Sequence, residues 1–107
     1  MRYLVTWKLL PVPPEMAKMA LSLLKATETW IEKQKKAGFL IEAWQYTEGM
    51  GGVAIVEAKS NDALYLKLMS APFSPFQQYC VTPLTDMKLA IEDGMKFYQK
   101  MIGKTKT

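Results

Sequence analysis

Residues 39–58, FLIEAWQYTEGMGGVAIVEA, contain two strand-like runs joined by a short loop. Residues 39–46 and 52–58 are rich in β-branched and aromatic side chains, which are typical of strands. Residues 47–51 lie between them and include two glycines, which suit a hairpin loop of about five residues. The stretch therefore predicts the second and third strands of an antiparallel sheet.

A strand and a helix are predicted before this hairpin. The run RYLVTWK at residues 2–8 reads as strand 1 and ends at a proline-rich breaker. Pro14 suits the first position of helix 1, and apolar residues then recur every three or four positions. The helix is expected to run to about Ala37, where Gly38 provides the left-handed stop.

A helix and a strand are also predicted after the hairpin. Residues 60–62 (Ser-Asn-Asp) form an N-cap for a short helix 2, which must end before Pro72. The run FQQYCVT at residues 76–82 reads as strand 4. Pro83 cannot donate a ladder hydrogen bond, so strand 4 is predicted at an edge of the sheet.

The last predicted element is a helix that begins after Thr85 and Asp86 and ends near Gly103. Residues 1–103 then form a single domain, and residues 104–107 a mobile basic tail. Right-handed crossovers place strand 3 between strands 1 and 2. The prediction is an α+β, ferredoxin-like β-α-β-β-α-β fold with an extra C-terminal helix and the antiparallel sheet order 4-1-3-2.

Composition excludes several classes of protein. The 107 residues include one cysteine, so no internal disulfide can form and a cytoplasmic location is expected. We expect no targeting segment and no membrane span. The net charge of +4 comes from lysines on predicted helix faces, with Arg2 as the single arginine, so no nucleic-acid partner is expected. Histidine is absent, which argues against a metal or another cofactor.

The alternation of side chains along the strands predicts a dimer. The compact strand residues are assigned to the side that the helices cover: Leu4, Thr6, Ile41, Ala43, Ala54, Val56, Cys80 and Thr82. The larger residues then form the opposite face: Tyr3, Val5, Trp7, Trp44, Tyr46, Val53, Ile55, Tyr79 and Val81. Such an apolar face must be covered, by the last helix or by a second copy of the sheet. A homodimer is favoured, and further assembly of dimers stays open.

The run from Val56 to Leu84 resembles the muconolactone delta-isomerase family of dimeric α/β barrels. The shared pattern includes Val56-Glu57, Ser60-Asn61-Asp62, Leu64, Leu68, Ser70, Pro72, Pro75 and Val81-Thr82-Pro83-Leu84. The start YLVTW and the run GGVAIVE at residues 51–57 look like an uncharacterised branch of such barrels. The resemblance implies the fold and the dimer, and we transfer no catalytic residue from it.

Two carboxylates in the strands suggest chemistry. If Tyr46 pairs with Val53, Glu42 faces Glu57, and two enclosed carboxylates that share a proton suit a lactone or enol isomerase. The predicted site has Glu42 and Glu57 as its acid/base pair, lined by Trp7, Trp44, Tyr46 and Tyr79. The simpler interpretation is that the register slips by one residue, or that both carboxylates lie at the sheet rim in water or beside Arg2 or Lys8. The aromatic residues are then core or interface residues.

Other functions stay open at this stage. A non-catalytic module that senses a small molecule fits the same fold and needs no acid or base. An RNA-recognition module shares the strand order but needs stacking aromatic residues in strand 3, where residues 52–58 have none. Cys80 is interpreted as a small core residue, because no histidine is available to activate it.

Overall fold

The structure, a computed structural model, describes residues 1–105 and contains one four-stranded antiparallel sheet. Its strands lie in the order β2-β3-β1-β4, which is the predicted order read from the other edge. The elements are β1 (Arg2–Leu9), α1 (Ala17–Lys36), β2 (Leu40–Gln45), β3 (Gly51–Glu57), α2 (Asn61–Met69), β4 (Gln77–Leu84) and α3 (Met87–Thr105). Short 3-10 turns at Pro14–Met16 and Ser74–Phe76 precede α1 and β4.

Local signals set the ends of these elements as predicted. Gly38 has a φ of 80° directly after α1, a conformation that favours glycine. The Ser60 hydroxyl accepts a hydrogen bond from the Ala63 amide at 3.1 Å and caps α2. The Asp86 carboxylate accepts one from the Lys88 amide at 2.9 Å at the start of α3. The fold class is therefore confirmed, and β4 with its proline lies at an edge.

The core lies between the sheet and the helices α1 and α2. Its buried residues are Tyr3, Val5, Phe39, Leu40, Ala54, Val56, Leu64 and Leu68. Tyr3 is only 1% exposed, and its hydroxyl donates a 2.8 Å hydrogen bond to Oδ1 of Asn61 at the start of α2. This hydrogen bond connects β1, a central strand of the sheet, to α2.

The predicted sheet faces are correct for β3 and, apart from Ile41, for β2, and they are wrong for β1 and β4. Ala43, Ala54 and Val56 face the helices, whereas Trp44 pairs with Val53 on the other face, which we call the open face. In β1 and β4 the larger residues face the helices instead: Tyr3, Val5 and Trp7, paired with Pro83, Val81 and Tyr79. The compact residues Leu4, Thr6, Cys80 and Thr82 lie on the open face. The error came from assuming that the helices pack closely on compact strand residues. Instead, the side chains of Tyr3, Val5 and Trp7 fill the space between the sheet and the helices.

A β-bulge changes the predicted position of one residue and the partners of another. The ladder steps from Leu40↔Val56 to Glu42↔Ile55, so Ile41 is the extra residue and is exposed rather than on the helix side. The predicted pairing of Tyr46 with Val53 is wrong by two residues, because the ladder already reaches Gln45↔Gly52 at the turn. Glu42 therefore does not face Glu57.

Helix α3 leaves the open face of its own sheet uncovered. The described chain measures 73 × 28 × 22 Å because α3 projects from the rest of the domain. Its apolar stripe is exposed at Met87, Ile91, Met95, Tyr98 and Met101. The helix continues through Thr105, so two residues of the predicted tail are helical, and Lys106 and Thr107 lie outside the described residues. None of the described helices is long and apolar enough to cross a membrane.

Candidate functional site

The structure divides the six predicted site residues between the two faces of the sheet. Trp7 and Tyr79 are neighbours in the β1–β4 ladder and lie under the helices. The other four belong to the alternating set of the open face: Glu42, Trp44, Tyr46 and Glu57. The prediction that all six share one volume is therefore wrong, because β1 and β4 present the opposite alternating set to the helices.

Glu57 is ion-paired on the rim of the sheet. Its Oε2 accepts a hydrogen bond from Nε of Arg2 at 3.0 Å, and its Oε1 lies 3.2 Å from the amino group of Met1. The hydrogen bond from Arg2, with the one from Met1, lowers the pKa of the Glu57 carboxyl. Glu42 is exposed and pairs with Ile55 in the ladder. This arrangement agrees with the simpler interpretation of Glu57, and not with two carboxylates that share a proton.

An aromatic cavity lies between the sheet and the two helices. It has a volume of about 100 Å³ and is bounded by the β1, β3 and β4 side chains below and by α1 above. Its aromatic walls are Trp7, Trp30, Phe39, Phe73 and Tyr79. Small residues such as Ala43, Ala54 and Ala71 complete the lining and leave the space that larger side chains would fill. We call this space the inner cavity.

The inner cavity contains few polar groups, and most of their donors are already used. Tyr79 donates from its hydroxyl to Oε1 of Gln77 at 2.8 Å, with a second contact to the Leu68 carbonyl at 3.4 Å. Burial raises the pKa of the Tyr79 phenol above its ordinary value of 10.0. Nε1 of Trp30 donates to the Ser70 hydroxyl at 3.0 Å. Tyr79 is therefore a protonated hydroxyl at neutral pH and a hydrogen-bond donor.

An open recess of about 500 Å³ adjoins the inner cavity. The two spaces share five lining residues: Trp7, Thr27, Ile31, Phe73 and Gln77. Glu28 and Glu32 of α1 line the recess, facing Gln45 and Gly49 of the hairpin. Neither carboxylate was among the site residues predicted from the sequence. Their position one residue beyond the inward-facing Thr27 and Ile31 is the signal that could have identified them.

No group of residues in the described range 1–105 has the composition and spacing of a metal site. Cys80 is exposed on the open face and is not a core residue as predicted, because its strand presents the opposite set to the helices. The groups available for chemistry near the inner cavity are thus the half-buried phenol of Tyr79, the amides of Gln45 and Gln77, and the carboxylates of Glu28 and Glu32 at the entrance.

The fold and the site together define a class: a small ferredoxin-like α+β domain that holds an aromatic cavity between its sheet and its helices. The family model of muconolactone delta-isomerase matches residues 1–88. The chain therefore belongs to the muconolactone delta-isomerase family. The match ends at the start of α3, which spans Met87–Thr105.

Two solved structures share this fold. A crystal structure of muconolactone isomerase is 24% identical over 80% of this chain and 90% of its own, with a TM-score of 0.63. The 5-chloro-2-hydroxyhydroquinone dehydrochlorinase of Burkholderia phenoliruptrix AC1100, in complex with 2,5-dihydroxybenzoquinone, is 18% identical over 82% of this chain and 97% of its own, with a TM-score of 0.62. No curated protein matches the chain by sequence.

Proposed function

We propose that the inner cavity binds a small lactone- or enol-type molecule and that the protein catalyses a cofactor-independent proton shift in it. In such an isomerisation a base removes a proton from one carbon, the double bond moves, and the proton returns to another carbon. Nothing is oxidised or reduced overall. A hydrogen-bond donor that holds the carbonyl oxygen lowers the cost of the enolate that forms in between.

The observation that carries this proposal is the half-buried Tyr79 hydroxyl in an aromatic cavity whose entrance holds two carboxylates. Tyr79 would redirect its hydrogen bond from Gln77 to the ligand carbonyl, and the raised pKa keeps it a donor. Glu28 or Glu32 would accept and return the proton from the entrance. Trp7, which was predicted from the sequence to line the site, would pack against the ligand.

The size of the cavity supports a ligand with one small ring. An apolar cavity of about 150 Å³ accommodates benzene in another protein. At about 100 Å³ the inner cavity would enclose most of such a ring, and its remaining atoms would enter the recess. The ligand of the structurally similar dehydrochlorinase, 2,5-dihydroxybenzoquinone, also has a single ring.

One observation favours a second candidate, a module that binds a small molecule without reaction. Glu28 and Glu32 are exposed, and the enclosed part of the cavity contains no carboxylate among the residues that the structure describes. Such a cavity can hold a ligand while no base reaches the carbon that must lose its proton. A sensor of this kind would be stabilised by the ligand without turnover.

The test is deuterium incorporation into a neutral butenolide, 5-methyl-2(5H)-furanone, followed by NMR in D₂O with parallel thermal-shift measurements. We expect exchange at the acidic ring carbons with the wild-type protein. Tyr79→Phe should slow this exchange by about 10²–10³-fold, the usual cost of one donor to a developing oxyanion. Glu28→Gln/Glu32→Gln should slow it as well, whereas Glu48→Gln, a loop residue outside the recess, should not.

A thermal shift without exchange would support the sensor and contradict the isomerase. Neither a shift nor exchange, with this compound or with simple enols, lactones and amino acids, would contradict both.

We also propose that the protein is a homodimer, in which a second copy covers the open face and the apolar stripe of α3. Leu4, Val53 and Ile55 form a half-buried apolar strip on the open face, beside Trp44, which is 55% exposed. The open face is less aromatic than predicted, and α3 supplies much of the apolar surface that needs a partner. A stable monomer at micromolar concentration in sedimentation would contradict this proposal. A cytoplasmic location stays a proposal that rests on the single cysteine.

A further inference from the structure

The charge of the residues around the inner cavity and the recess carries an inference about the ligand. Two acidic residues, Glu28 and Glu32, line the recess. Among the described residues that line either space there is no lysine and no arginine. Neither glutamate takes part in an ion pair within the described range. The lining of the entrance therefore holds acidic side chains and no basic one.

The positive charges nearest the entrance lie outside its lining: Lys25 and Lys36 are on α1, three residues before Glu28 and four after Glu32. Arg2, the single arginine, is on the open face and is paired with Glu57. Lys8 belongs to the same alternating set of β1, on the side of the sheet away from the cavity. None of these groups lines the inner cavity, so a ligand carboxylate inside it would have no cationic partner.

The inner cavity also lacks a hydrogen-bonding arrangement for a carboxylate. The Thr27 and Trp30 donors are bound to acceptors within the protein, and the Tyr79 hydroxyl reaches a ligand only by leaving Gln77. The donors open to a ligand are that hydroxyl, the side-chain amide of Gln77 and the indole N–H of Trp7, and all three are uncharged. Burying an ionised carboxylate without a cation or charged donors is costly, whereas a few neutral donors suit a carbonyl or a hydroxyl.

We infer that the ligand of this site is a neutral, single-ring lactone or enol, and that Glu28 and Glu32 act as specificity determinants that exclude carboxylated ligands. This inference rests on the proposed function, since it names the substrate class of the same cavity. The chemistry of recognition is apolar ring contact inside and a neutral oxygen at the Gln77–Tyr79 end.

The test compares muconolactone, which carries a carboxylate, with its neutral methyl ester, by calorimetry and ligand-observed NMR at pH 7 and low salt. We expect the ester to bind at least about tenfold more tightly. In Glu28→Gln/Glu32→Gln this difference should fall by at least about threefold, because two repelling charges are removed. Glu48→Gln, which removes an exposed carboxylate outside the recess, should leave it unchanged.

Each other outcome has a definite meaning. Equal or tighter binding of the carboxylate overturns the inference, while binding of a lactone still supports the proposed function. A preference for the ester that the double variant leaves intact overturns the role of Glu28 and Glu32. Failure of both compounds to bind, in protein that circular dichroism shows to be folded, overturns the proposed function and this inference with it.

Discussion

Gly52→Ala tests the packing that forms one wall of the inner cavity. Gly52 lies opposite Trp7 in the β1–β3 ladder and is buried. A Cβ at this position would overlap the Trp7 indole, with Cη2 at 2.6 Å, and the carbonyl oxygen of Trp44. Ordinary van der Waals contact begins at 3.4 Å. The indole can tip into the cavity, but the Trp44 carbonyl belongs to the sheet and cannot withdraw without disturbing the β2–β3 ladder.

The expected size of the effect follows from two opposing terms. Overpacking of this kind costs about 1–3 kcal/mol, and the backbone overlap places this site at the upper end. Replacing glycine by alanine also reduces the conformational entropy of the unfolded chain, which raises the free energy of unfolding by about 0.5–1 kcal/mol. The net loss in the free energy of unfolding is therefore about 2 kcal/mol, or a fall in Tm of about 8–16 °C for a domain of this size.

Thermal and urea unfolding measure this loss, with Gly103→Ala as the control, because a Cβ there would meet nothing within 4 Å. The control should change stability by less than about 1 kcal/mol. Since the displaced indole enters the inner cavity, Gly52→Ala should also weaken binding of the neutral lactone. Wild-type stability together with unchanged binding would refute the placement of Trp7 over Gly52.

Three further outcomes are expected. Burial raises the pKa of the Tyr79 phenol in the folded state. The contribution of this phenol to the free energy of unfolding is therefore fully present below pH 10 and is lost as the pH rises through the folded pKa. The urea midpoint should accordingly fall less steeply between about pH 8 and pH 11 in Tyr79→Phe than in wild type. Since Arg2 lowers the pKa of Glu57, Arg2→Ala should raise it toward 4.5 in an NMR titration, and an unchanged value would contradict the ion pair. In the wild-type protein, the contribution of Glu57 to the free energy of unfolding is present above pH 4.5 and is lost as the pH falls through the lowered pKa of the folded state. Ile91→Glu, at a position 52% exposed in the single chain, should leave the domain folded but yield a monomer in light scattering, and a persistent dimer would place the interface elsewhere.

The order of strands and helices could be predicted because it depends on short-range chemistry. Ser60 caps α2, Gly38 adopts the positive φ that ends α1, and Pro83 keeps β4 at an edge. Each of these effects acts within a few residues of the chain, so the sequence shows it directly. The resemblance along residues 56–84 indicated the same fold, and the family match over residues 1–88 confirmed it.

The helices and strands, their order and the family could thus be predicted from the sequence. Which face of β1 and β4 meets the helices, and therefore where the site lies, depends on the tertiary packing. Alternation assigns residues to two sets but does not say which set is inside, because that depends on the width of the gap between sheet and helices. Here the gap is filled by Tyr3 and Trp7, so the aromatic cavity lies under α1, where Glu28 and Glu32 flank its entrance.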